Sequence, residues 1–84
     1  MDAGEAKRIE ESRLRWACRR GLLELDIVLQ RFMDRSYRGL GEAELEQLRE
    51  LLDYPDQDLW DMIAGRLQPA DKRVTGVLEL LRAA

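Results

Sequence analysis

The sequence predicts an all-α fold, a small single-domain five-helix bundle. Leucine, alanine, glutamate and arginine dominate, and these residues favour helices. Valine, isoleucine and threonine are few, and no segment alternates polar and apolar residues with the period of two that a half-buried strand requires. Apolar residues recur instead at spacings of three and four. A chain of 84 residues fits one domain, with its core expected over about residues 6–82 and residues 1–5 expected to be flexible. A domain of this size buries only about 60–65% of its unfolded surface, so it holds one modest core and no deep enclosed active site is expected.

The first helix is expected from about Ala6 to Arg19, with Ile9, Trp16 and Ala17 near one face and Arg8, Glu11 and Arg15 opposite. Gly21 ends it, because glycine takes a left-handed backbone conformation without steric cost. The second runs from about Leu22 to Tyr37. Leu25, Val28, Leu29, Phe32 and Met33 make it the best core helix. Gly39 and Gly41 break it. The third runs from about Glu42 to Leu52, with Leu45, Leu48, Leu51 and Leu52 as its stripe and Glu42, Glu44 and Glu46 near the end where the helix dipole favours acids. Pro55 opens the fourth, with Asp56 or Asp58 in its first turn, and Leu59, Trp60, Ile63 and Leu67 as its apolar side. "QPAD" starts the fifth, which carries Val74, Val77, Leu78 and Leu81. The breaks are short, so neighbouring helices pack antiparallel or at a steep corner.

Composition removes several function classes. There is no histidine and one cysteine, so an internal disulfide, a zinc or iron–sulfur centre and Cys-His catalysis all lack their parts. No Asp-rich calcium loop and no Gly-rich phosphate loop is present. The chain is therefore expected not to be an enzyme, with no catalytic residues, no metal site and no cofactor of its own. No apolar run approaches the roughly 18 residues that span a bilayer, and the first residues carry Asp2, Glu5, Glu10 and Glu11 without an apolar signal core. A cytoplasmic protein without membrane insertion, a monomer when free, is expected.

The net charge of −3 is unevenly spread: residues 1–20 hold six basic and four acidic side chains, residues 42–69 eight acidic and two basic. An acidic middle lobe and a pI near 5.0 oppose binding to a phosphate backbone. A helical regulator, antitoxin-like or associated with nucleic acid, or a helical adaptor, is the alternative reading. Cys18 stands beside Arg19 and Arg20, cations that lower a thiol's pKa. A lone cysteine on such a face is more often a small buried hydrophobe, and that reading is preferred.

The stretch "WACRRGLLELD", residues 16–26, holds most of the candidate site. Arg19 and Arg20 near a helix C-terminus and Glu24 in the first turn of the next helix are where the helix dipoles favour those charges. Two adjacent arginines exceed what a helix end needs, and a corner would hold them out as a fork for bidentate contacts. Trp16 and Trp60 fit apolar stripes, with the core as their default place and a partner surface as the second.

With the downstream "YPDQDLWDMI" and "QPAD" in order, Trp-x-Cys-Arg-Arg-Gly-x-x-Glu-Leu-Asp resembles the SdhE family, also called YgfY or CptB. The likeness runs from about Arg15 to Leu81. It implies a five-helix assembly factor that binds the flavoprotein subunit of succinate dehydrogenase, and of fumarate reductase as a second client, and promotes covalent attachment of FAD. The family's Arg-Gly-x-x-Glu signature falls on Arg20, Gly21 and Glu24, and Trp16, Arg19 and Asp26 share that corner. Its acidic stretch falls on Asp56, Asp58, Leu59 and Trp60. The resemblance thus implies partner-binding roles for Trp16, Arg19, Arg20, Gly21, Glu24, Asp26, Asp58 and Trp60. Because the chain has no histidine, a common site of flavin attachment, the FAD acceptor is expected on the client.

Overall fold

The structure is a computed structural model and describes residues 2–84. Five α-helices follow one another, with no strand among the described residues: α1 (Ala3–Ala17), α2 (Leu23–Arg35), α3 (Glu42–Leu52), α4 (Asp56–Ile63) and α5 (Thr75–Ala83). Single 3-10 turns at Tyr37–Gly39 and Lys72–Val74 precede α3 and α5. The five-helix fold is as the periodicity predicted, and α3 has the predicted ends. Elsewhere the boundaries moved for local reasons.

Asp2 Oδ1 accepts a hydrogen bond from the Glu5 N–H at 2.8 Å, so α1 starts at Ala3 rather than Ala6. It stops at Ala17, with Cys18 closing the last turn, so Arg19 and Arg20 lie in the loop beyond the helix. The second helix ends at Arg35, because the chain tightens into a 3-10 turn that includes Gly39: the Gly39 N–H bonds Ser36 O and the Leu40 N–H bonds Tyr37 O, each at 3.1 Å. At α3 the Glu44 carboxylate accepts from the Gly41 N–H at 3.1 Å, half of a capping box. Gly65, with φ of 82°, turns the chain away after α4, so Leu67 lies beyond that helix and is exposed. Instead of "QPAD" opening α5, Asp71 Oδ1 accepts from the Arg73 N–H at 2.9 Å and caps the 3-10 turn that leads into the helix.

The core sits between α2, α3, α4 and α5. Leu25, Leu29, Phe32 and Met33 of α2 are buried, as are Leu48 and Leu51 of α3 and Leu59 and Met62 of α4. Val77, Leu78 and Leu81 fill the centre from α5, which packs on each of the other three. The stripes of α2, α3 and α5 were legible from spacing; that of α4 was legible in Leu59 and Ile63, while Met62 was missed and Leu67 falls beyond the helix.

The stripe predicted for α1 was wrong. Trp16 is 69% exposed, and Ile9 and Ala17 are exposed too. The helix offers the core Leu14 and the residue that caps it, Cys18, one turn apart. Trp16 is two positions from each, and at 100° per residue that places it on the opposite side. Polar contacts tether the rest of α1: Glu10 pairs with Arg49 of α3, and Arg15 pairs with Asp34 of α2 at 2.9 Å. Among the described residues no helix is long and apolar enough to cross a membrane.

Candidate functional site

The loop from Cys18 to Leu22 joins α1 to α2, and its geometry follows from three residues. Cys18 is fully buried and fixes the start of the loop. Burial pushes its thiol from 9.0 up to about 11, an effect the Arg20 and Arg15 charges only partly offset. Gly21 has φ of 84°, in the left-handed region, so the glycine is required where the sequence suggested. It stands within the loop, beyond the position next to the helix cap. Asp26, in the first turns of α2, reaches back over the loop and accepts from the Arg20 N–H at 2.7 Å and the Gly21 N–H at 3.3 Å.

The two arginines do not form the outward fork that their adjacency suggested. Arg19 is exposed and lies over the Trp16 ring, its guanidinium carbon 5.1 Å from the ring centre. A stack of this kind contributes about 0.5–1 kcal/mol at an exposed site and holds the cation in place. Arg20 turns inward. Its Nε donates to Asp56 Oδ1 at 2.6 Å, and its Nη1 and Nη2 donate to the carbonyls of Leu52 and Tyr54, each at 2.7 Å. Its side chain is 15% exposed.

Glu24 is exposed in the first turn of α2, as expected. Two apolar side chains that the sequence did not single out share the surface with it: Leu23 is 73% exposed and Ile27 42%. Their signal was present, since at 100° per residue they fall on the far side of α2 from Leu25, Leu29 and Phe32. The outer surface of the corner is thus Trp16 under Arg19, then Leu23, Glu24 and Ile27. The inner side is Arg20, Asp26 and Asp56.

Asp58 and Trp60 follow Asp56 on α4. Asp58 is half-buried in the first turn, and Trp60 is half-buried against the core. What joins α4 to the corner is Asp56. Two open clefts flank α1, one lined by Ile9, Arg13 and Arg49, the other by Lys7, Tyr37 and Leu45; neither is lined by a corner residue.

The decisive comparison is with protein families. One described as "Flavinator of succinate dehydrogenase" matches residues 12–84. The chain belongs to that family. Among its relatives, an FAD assembly factor SdhE of Coxiella burnetii is 36% identical over 74 residues, 88% of this chain and 90% of that protein. An FAD assembly factor SdhE of Ralstonia nicotianae is 42% identical over 76 residues, 86% of this chain and 80% of that protein. That of Legionella pneumophila is 38% identical over 73 residues, 87% of this chain and 91% of that protein. The flavinator family span contains the whole corner together with α2 to α5, and leaves out the first turns of α1.

Proposed function

We propose that this chain is an FAD assembly factor: it docks through the α1–α2 corner on the flavoprotein subunit of succinate dehydrogenase and promotes covalent attachment of FAD there. The observation that carries the reading is the corner itself. A rigid turn inside the flavinator family span displays a large aromatic, two aliphatic side chains, one stacked arginine and one free-standing glutamate. Trp and Arg are the residues most enriched where binding energy concentrates.

In this reading Trp16, Leu23 and Ile27 lose water against an apolar part of the client. Arg19 donates to client carboxylate or carbonyl groups, and Glu24 accepts from client N–H donors. Nothing lies within 4 Å of where a Gly21 side chain would begin, so the client backbone has room to approach. The chain acts as a chaperone and not as a catalyst. It holds the client in the conformation in which the client's own residues bond the flavin. It contributes no histidine as acceptor and binds no FAD of its own. Asp58 and Trp60 extend the contact along α4. The fumarate reductase flavoprotein is a second client, and the free chain works as a monomer in the cytoplasm.

The test is flavin fluorescence of the client on a denaturing gel, in a strain lacking this chain and complemented with variants. Trp16→Ala and Glu24→Ala are each expected to cut client flavinylation and co-purification of the client, with affinity falling about tenfold or more. Full flavinylation with both variants, or with no copy of the chain at all, sinks the assignment. The alternative of a regulator without a flavin role has no support in the family match.

A further inference from the structure

We infer that Arg20, the arginine of Arg-Gly-x-x-Glu, is a positioning residue that shapes the corner from inside the protein and does not itself reach the client. The inference rests on the proposed docking at this corner.

Of the five N–H donors of a guanidinium, four are spent within the chain: on Asp56, Leu52 and Tyr54, and on the Ala17 carbonyl at 3.3 Å. Each acceptor has a reason to want a cation. Ala17 closes α1 and Leu52 closes α3, and helix C-termini carry unpaired carbonyls and partial negative charge. Asp56 opens α4, where the helix N-terminus in turn favours the carboxylate. A planar fork can span these acceptors, whereas a lysine ammonium offers three donors from a single point. Asp26 of α2 meanwhile holds the backbone N–H of the same residue. Arg20 therefore joins four helices.

Swinging the guanidinium out to a partner would break these bonds and leave two helix-end carbonyls and a carboxylate without their cation. Arg19, its neighbour, is already outside and stacked. The signature divides by direction: Glu24 faces outward, Gly21 makes the turn, and Arg20 ties the turn to α3 and α4. Asp56 belongs functionally to the corner even though it lies 36 residues from Arg20 in sequence.

The test measures the affinity of the purified chain for the purified flavoprotein subunit of succinate dehydrogenase lacking covalent FAD. Melting temperatures are measured in parallel. Arg20→Ala and Asp56→Ala are each expected to weaken binding about tenfold, and the double variant no further than Arg20→Ala, because the pair acts as a unit. Arg20→Lys is expected to behave like Arg20→Ala. Val77→Ala, a core change on α5, is expected to lower the melting temperature but keep wild-type affinity.

Wild-type binding by Asp56→Ala beside weakened binding by Arg20→Ala would make Arg20 a direct client contact and overturn the inference. Additive losses, full rescue by lysine, or unchanged affinity in both single variants would overturn it too. Equal weakening by Val77→Ala would reduce the effect to general destabilisation. If Arg20→Ala does not fold, Arg20→Lys and Asp56→Asn carry the same comparison. Absence of binding by the wild-type chain is a different result: it defeats the docking proposal itself, and the positioning role falls with it.

Discussion

Cys18 and Gly21 are three residues apart and are fixed by opposite demands, one for burial and one for backbone freedom. The Cys18 thiol is held protonated by burial even with Arg15 and Arg20 nearby. It is expected to resist a thiol-labelling reagent at pH 8 in the native protein and to react fully once urea unfolds it; rapid labelling of the native protein would contradict its burial. Its folded pKa of about 11 lies above the unfolded value of 9.0. The folded state then binds more protons between those values, so this contribution to stability is complete below pH 9 and is lost as pH rises toward 11. The effect is about 2–3 kcal/mol, read as a fall in urea midpoint over that window that Cys18→Ser removes. At Gly21 there is space for a methyl group, so Gly21→Ala is expected to cost only the left-handed conformation, about 1–2 kcal/mol in a urea titration. The need for glycine there was legible because a left-handed residue between two helices has few alternatives. The direction of Arg20 was not, because its partners lie 32 to 36 positions further on.

At the scale of elements, α2 to α5 and α1 are held by different forces. Each of α2 to α5 buries a continuous apolar stripe, and four-residue spacing made those stripes readable. The first helix is held by Leu14, by Cys18 at its end and by two surface ion pairs, which contribute about 0–1 kcal/mol each. Its first turns are therefore expected to exchange amide hydrogens far faster than α2. Residues Ala6–Arg13 should lose protection well before Leu25–Met33, and equal protection would mean that α1 unfolds only with the whole domain. This is also why Trp16 was misplaced. Ile9, Trp16 and Ala17 gave a plausible stripe, but which side of a helix is buried depends on what it meets. In α1 the contact is made by Leu14 and Cys18, and Trp16 is left on the surface that the docking proposal uses.

At the scale of the whole molecule, one core carries the stability. Phe32 is fully buried at its centre, and Phe32→Ala is expected to cost about 3–5 kcal/mol, against a total of roughly 4–13 kcal/mol for a domain this size. The variant should melt far below the wild-type chain by circular dichroism; a modest shift in melting would mean that the core repacks around the gap. Charge also acts at this scale. With a net charge of −3 and its acids gathered in residues 42–69, the chain is expected to leave duplex DNA unshifted even at low salt. A salt-sensitive shift would revive the regulatory reading.

The sequence by itself determined the helices, their order, most of the core and the family, because these depend on local spacing and on motifs that keep their chemistry wherever they stand. Absence was readable as well: without histidine, and with one cysteine, the chain offers few of the parts that metal and nucleophile chemistry use. Only the tertiary structure decided which members of the corner face outward. Arg19 and Arg20 are chemically identical neighbours, yet one stacks on Trp16 in solvent and the other ties together the ends of α1, α3 and α4. That difference arises because helix ends distant in the chain meet at one point, where their unpaired carbonyls favour a cation and the Arg20 guanidinium reaches them.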